Sequence, residues 1–405
     1  MYSLEWLLHP IAPATFFRDF YERQPLLIER QDSRRFEQLL TTDQIDRFLA
    51  TTSPTVSEFF LVDASRELKP EDYSLPNSDP PGRIDLPRVH QLFRTGATIS
   101  LSHLNERLPQ LAALCEAAER AFSQHFQTNI YLSPPNAQGF KTHYDNHDVF
   151  VLQISGSKVW TLNDTQVELP LQGQGFDPEK HVAGPPTREF TLHAGDLLYC
   201  PRGLFHSARS TEETSLHITL GLIGKTWADV MIEAMSEACL AAPEFRRNLP
   251  IGFANDGFDP SEAAAIFRAL AEQFAAKAQL PAILDRFAND FVTSRRPVLY
   301  GGLQVQGSAD RISGSSSVAP RPNLICRIRE QGEQVEVLFG SSIIRFPAFV
   351  RAPLEFCLKG PSFRVLEIPD ELDDPGKLVL VRRLVQEGLL VRADPIDRAL
   401  TIAAE

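Results

Sequence analysis

The sequence predicts an α+β chain with a β-sandwich or barrel at its centre and helices on either side. A winged-helix-type module follows at the end. Three observations carry this. Between about 127 and 223, short apolar runs such as NIYLS, HDVFVLQIS and KVWTLN are divided by Gly, Pro, Asn and Asp turns, with no helical pattern between them. Helical periodicity returns over 226–292. A Gly/Ser/Pro-rich stretch, QGSADRISGSSSVAPRPN at 306–323, reads as a linker between domains. The length of 405 residues itself favours two or three domains, because single cores stop growing well below it.

In chain order, FFRDFYERQ carries aromatics at helical spacing and stops at Pro25, after which LLI reads as a strand. Residues 63–82 are polar and Pro-rich, which predicts a surface loop. LPRVHQLFRTG and NERLPQLAALCEAAERAFSQHF read as helices. The strand block follows, with REFTLHAG, DLLYCP, FHSAR and TSLHITLGLI as its later members. DPSEAAAIFRALAEQFAAKAQ then begins with Asp259 as a cap and Pro260 in the first turn. Its Ile266, Leu270 and Phe274 stripe reads first as core. The last stretch, 324–405, gives LICRIRE, QVEVLFG and SIIRFP as strands and two helices before LLVR, an order that fits a winged helix.

Composition excludes several classes. With 43% hydrophobic and 23% charged residues this is ordinary globular protein, and no apolar run approaches membrane-spanning length. The N-terminus lacks the basic start of a signal peptide. Five scattered cysteines without a CxxC pair argue for reduced thiols in a cytoplasmic setting and against a zinc-thiolate site. The net charge of −12 disfavours direct nucleic-acid binding and suits a basic partner. Winged helices often read phosphates, but 341–405 holds nine Lys/Arg against ten Asp/Glu, and a phosphate reader needs a basic face. A protein-contact role is favoured there.

All ten histidines lie within the first 217 residues, so imidazole chemistry belongs to the N-terminal half. The segment THYDNHDVFVLQISGSKVW places His143, Asp145 and His147 at the mouth of an apolar strand. If 142–152 is extended, these three share one face. Two imidazoles and a carboxylate with further positions open form the facial triad of non-haem Fe(II) sites. The other imidazole is expected on a later strand, and GDLLYCPRGLFHSAR offers His206 among Leu204, Phe205 and Ala208. His217 is a second candidate lining residue. Taken singly, His143 and Asp145 fit a surface salt bridge, His206 a satisfied core histidine and Lys158 a solvated strand residue.

The segment NIYLSPPNAQGFKTHYDNHDVFVLQISGSKVWTL, with GDLLYCPRGLFHSA and SLHIT, resembles the JmjC-type cupin core of the ribosomal oxygenases. The resemblance implies a double-stranded β-helix over 1–225 with an N-terminal helical extension, a helical dimerisation region at 226–305 and a winged helix at 324–405. It implies Fe(II) held by His143, Asp145 and His206, with 2-oxoglutarate and O2 as cosubstrates and Lys158 on the distal carboxylate. Asn129 and Tyr131 would line the substrate pocket, and Ser215 and His217 would sit on the strand that closes it. The expected activity is hydroxylation of a histidine or arginine side chain on a ribosomal protein by a homodimer. A JmjC lysine demethylase and a non-catalytic cupin assembly module are the alternatives. Two departures stand out. His147 is an additional imidazole, read as a solvated or supporting residue that could also compete as a ligand or bind substrate. The connection from His206 to Ser215 is short.

Overall fold

The computed structural model describes residues 2–164, 167–299, 302–303 and 309–393. Helices α1 (Leu4–Leu8) and α2 (Pro13–Asp19) precede strand β1 (Leu26–Ile28). Helix α3 (Thr42–Thr52) carries a reciprocal Thr41–Gln44 capping box, which satisfies donors at its first turn. Strand β2 (Phe59–Val62), helix α4 (Leu86–Arg94), strand β3 (Thr98–Ser102) and helix α5 (Pro109–Phe122) lead into the β-rich centre.

That centre holds β4 (His125–Ser133), β5 (Asp148–Ser155), β6 (Ser157–Asn163), β7 (Pro186–His193), β8 (Leu197–Cys200), β9 (His206–Ser210) and β10 (Ser215–Ile223). Seven strands form one antiparallel sheet in the order β1-β8-β5-β10-β4-β3-β2, and a second sheet runs β7-β6-β9. Consecutive strands β5 and β6 thus fall in different sheets, as a double-stranded β-helix requires. The crossing is tight. Gly156 turns the chain at φ +60°, and a Cβ there would lie 2.1 Å from the Thr214 carbonyl oxygen, so only glycine fits.

The two faces of the large sheet have different work. Along β4, Phe126, Ile130 and Leu132 join the main core under the N-terminal helices, with Phe16, Leu111 and Phe150. The alternate residues Gln127, Asn129 and Tyr131 are only half-buried and face the space between the sheets, since side chains alternate along a strand. A smaller core of Val149, Val151, Trp160, Leu162, Leu192, Leu198 and Cys200 closes one side of that space.

Helices α6 (Trp227–Ala241), α7 (Ser261–Lys277) and α8 (Leu280–Ser294) follow. Asp259 accepts from both the backbone N–H and the hydroxyl of Ser261, just ahead of α7. The expectation that the Ile266, Leu270 and Phe274 stripe is core fails for Ile266, which is 48% exposed. Phe267 beside it is 73% exposed. Of the stripe, Phe274 packs with Phe287 against the small cluster of Val230, Ala234 and Ile283. The block is tied to the β-core by Arg295, which ion-pairs with Glu119, and by the Val298 N–H donating to Glu116 at 2.7 Å.

The C-terminal part contains strands β11 (Ser317–Pro320), β12 (Cys326–Gln331), β13 (Gln334–Phe339), β14 (Ser342–Pro347), β15 (Phe363–Arg364) and β16 (Leu390–Arg392), with helices at Arg351–Lys359 and Asp374–Gln386. Strand β11 pairs with both β15 and β16. The segment expected to be a linker therefore contributes its Ser317–Pro320 portion to a folded sheet, with Val318 fully buried. Its Ser/Gly content masked a four-residue strand. Residues 306–308 of that segment and 394–405 lie outside the described residues.

Candidate metal centre

His143, Asp145 and His206 converge. Each offers a ligand atom, and the three atoms lie within 4.8 Å of one another. The sequence reading placed His143 and Asp145 on a strand, but β5 begins only at Asp148. His143 instead makes a single bridge to His206, its N–H donating to the His206 carbonyl at 3.1 Å and its carbonyl accepting from the His206 N–H at 2.8 Å. The Gly203 N–H donates to the Asp145 carbonyl at 2.9 Å, which fixes the second ligand's backbone. Extended pairing gives way here because the chain must turn two side chains toward a third strand.

Both imidazoles are oriented as ligands need to be. His143 Nδ1 lies 2.8 Å from the Lys141 carbonyl and His206 Nδ1 lies 3.0 Å from the Leu204 carbonyl. A carbonyl only accepts, so each Nδ1 carries the proton and each Nε2 presents a lone pair. His206 Nε2 approaches Asp145 Oδ2 at 3.7 Å, and the two rings are 4.7 Å apart. Burial, and then the neighbouring His143, push His206 down to about 4, so it is neutral and ready to donate at neutral pH. Burial opposes the Asp145 carboxylate, yet the His206 and His143 imidazoles carry its pKa below the ordinary value. This donor set fits Fe(II) as a facial triad and leaves other coordination positions open.

His147, the extra imidazole, is outside the triad. Phe140 and Phe176 flank the His143 ring at 5.4 and 6.3 Å, giving the centre an apolar wall.

Beyond His206 the residues facing the space between the sheets become polar. Trp160 lies 5.8 Å from both His206 and His217, ring to ring. His217 stacks on Tyr131 at 4.9 Å. Lys158 is 4% exposed, and no ion pair or side-chain hydrogen bond meets its ammonium among the described residues. Burial lowers it to about 7, and burial together with the Lys158 charge depresses His217 well below its usual range. Asn129 Oδ1, Gln153 Oε1, Trp160 Nε1 and His217 Nδ1 are buried without hydrogen-bond partners among the described residues. Unsatisfied buried groups are costly, and so many on the facing sides of the two sheets mark a place for a polar ligand. Ser215 sits at the far end of this region, accepting from Gln153 Nε2 at 2.8 Å. Gln153 and Trp160 were missed from sequence because an inward polar residue on a strand looks like an outward one.

Residues 101–230 match the family model described as JmjC domain. The chain is 33% identical over 311 residues to "Ribosomal oxygenase 1" of Rattus norvegicus, covering 72% of this chain and 51% of that protein. The chain thus contains a JmjC domain and counts ribosomal oxygenases among its relatives. It is also 26% identical over 450 residues to the "Bifunctional lysine-specific demethylase and histidyl-hydroxylase NO66" of Drosophila persimilis, covering 98% of this chain and 63% of that one. The chain spans about half the length of the first of these curated relatives. Among solved structures, YcfD, a ribosomal oxygenase from Escherichia coli in complex with cobalt and 2-oxoglutarate, superposes with a TM-score of 0.55 at 14% identity. The match covers 95% of this chain and 99% of that chain, and it establishes the shared JmjC/cupin-type fold.

Proposed function

We propose that this JmjC protein is a 2-oxoglutarate- and Fe(II)-dependent hydroxylase that modifies a histidine or arginine side chain of a ribosomal protein. The observation that carries the reading is the His143, Asp145 and His206 cluster with both Nδ1 protons held by backbone carbonyls. These three residues would hold Fe(II). With 2-oxoglutarate and O2 bound, the metal supplies oxidative decarboxylation, which turns 2-oxoglutarate, O2 and a C–H bond into succinate, CO2 and a C–OH group. Lys158, buried and unpaired, would take the distal carboxylate as a point charge. Asn129 and Tyr131 would contact substrate, while Ser215 and His217 would back the cosubstrate end. Phe140 and Phe176 place apolar rings beside His143, which lowers the local polarity around the charged contacts.

The net charge of −12 suits a basic ribosomal-protein substrate. A homodimer through 226–305 is supported by the exposed Trp227, Ile232, Ile266 and Phe267 of the helical block. The part from 324 onward, with its sheet and two helices, fits a winged-helix-like protein-contact module rather than a nucleic-acid reader. Among the described residues no helix is long and apolar enough to cross a membrane, and a cytoplasmic location is our reading.

The name of the NO66 relatives joins demethylation with histidyl hydroxylation, so product mass is the discriminating readout. Loss of a methyl group from a lysine peptide would favour demethylation. The direct test of the chemistry is succinate formation from 2-oxoglutarate by the Fe(II)-loaded protein, against His206→Ala and Asp145→Ala. Succinate at the variants' level in the parent protein would leave the non-catalytic cupin reading in place.

A further inference from the structure

The face of the large sheet that carries the site includes β10. His217, Thr219 and Gly221 share the inner face of that strand, and they pair across β4 with Tyr131, Asn129 and Gln127. His217 marks the Lys158 end. Gly221 is four residues away, about 13 Å at ordinary strand rise. Gly221 stands out as a glycine in the interior of a fully buried strand, and such a position often marks close approach by another group. Here the group is His147. A Cβ at position 221 would lie 2.9 Å from His147 Nε2 and 3.0 Å from its Cδ2. The imidazole rests on the space that glycine leaves, two residues along the chain from Asp145 and at the opposite end of that face from Lys158.

Its proton is also fixed. The Asn146 amide nitrogen donates to the Gln172 carbonyl at 2.5 Å, which turns Asn146 Oδ1 toward His147. His147 Nδ1 lies 3.3 Å from that oxygen. The oxygen can only accept, so Nδ1 carries the hydrogen and Nε2 is left as an acceptor. No hydrogen bond is made to that Nε2 among the described residues.

We propose that His147, seated on Gly221, is a substrate-positioning residue whose Nε2 accepts a hydrogen bond from an N–H of the side chain being modified. The inference rests on the hydroxylase reading above and narrows it. The group bound on this side is a nitrogen donor, as in a guanidinium or the N–H tautomer of an imidazole, rather than a carboxylate or a hydrocarbon.

The test uses the full chain with the total ribosomal proteins extracted from purified ribosomes as the probe, and follows succinate and added oxygen mass. In the parent protein the probe raises succinate formation in step with oxygen addition. His147→Phe, which keeps a ring of similar size but no acceptor, raises KM for the probe about tenfold, the scale of one lost hydrogen bond. His147→Gln, which restores an acceptor oxygen, recovers most of that loss. Gly221→Ala pushes the ring off its seat and raises KM in the same direction. In a His147→Ala background the same Gly221→Ala change has little further effect, since no ring remains to displace. Dissociation constants for 2-oxoglutarate and melting temperatures are followed in all variants, and both are expected to hold near the parent values. Equal KM in the parent, His147→Phe and Gly221→Ala proteins overturns the proposal while leaving the hydroxylase reading intact. A rise in KM caused by both Phe and Gln alike, together with a lower melting temperature, reassigns His147 to packing and also overturns it. A parent protein whose turnover the probe does not stimulate removes the hydroxylase reading itself, and this inference with it.

Discussion

Replacing Lys158 by methionine should have two opposite effects, which makes it a sharp perturbation. The ammonium is 4% exposed and burial lowers its pKa from 10.5 to about 7. That fall corresponds to about 5 kcal/mol against the charged form in the ligand-free protein. The sign follows from proton counting. Between pH 7 and 10.5 the unfolded chain holds the proton and the folded one does not, so stability rises with pH across that window. The penalty is fully present below about pH 7. Methionine has similar length and no charge, so ligand-free Lys158→Met should melt several degrees higher at pH 6, and the difference should vanish near pH 10. Binding moves the other way. A 2-oxoglutarate carboxylate left without its buried cation should cost about 3 kcal/mol, a loss of affinity of about a hundredfold. Calorimetric titration of 2-oxoglutarate into the Mn(II)-loaded proteins and melting scans at pH 6 and 10 check both arms. Affinity within about threefold of the parent protein would refute the assignment of Lys158 as the carboxylate partner. A lower melting temperature at pH 6 would refute the account of an uncompensated charge.

Other outcomes follow from the same geometry. Asp148 is fully buried between the Tyr199 hydroxyl at 2.7 Å and Arg202 at 2.9 Å, so Asp148→Ala should destabilise the β-core by about 3 kcal/mol or more, seen as an earlier urea midpoint. His206, pushed down to about 4, stays neutral in the folded chain while an unfolded histidine charges near 6.5. Its contribution is therefore fully present above about pH 6.5 and declines as pH falls toward 4, and His206→Gln should flatten that part of a ligand-free stability–pH profile. Ile232, 71% exposed on α6, should become a dimer-breaking position, with Ile232→Asp shifting the sedimentation coefficient to that of a monomer while the melting of the β-core is retained. An unchanged coefficient would show that the face lies outside the dimer contact.

Much of this was legible in the sequence because its signals were chemical as well as periodic. The strands β5, β6, β8 and β10 announce themselves as short apolar runs between turn residues. His206 was conspicuous because an imidazole amid Leu204, Phe205 and Ala208 needs a reason. The extended reading of His143 to His147 failed because alternation describes a free strand. Here the pairing of His143 with His206 and of Asp145 with Gly203 overrides local preference. The inward wall was harder still. Gln127, Asn129 and Tyr131 alternate with apolar partners as they would on a solvated face, and no pattern separates water from an internal cavity. Ile266 and Phe267 show the converse problem, since a helical apolar stripe looks the same whether it meets its own chain or another copy. The strand at Ser317–Pro320 is short and rich in residues that usually mark linkers, and only its partners β15 and β16 make it a strand.

The central claim is tested most directly by mass. The Fe(II)-loaded protein would be incubated with 2-oxoglutarate and isolated ribosomal proteins, and intact masses read against His206→Ala. The account predicts the gain of one oxygen on a single ribosomal protein, absent with the variant, and fragmentation that places it on a histidine or an arginine. No mass change together with succinate at the variant's level would contradict it.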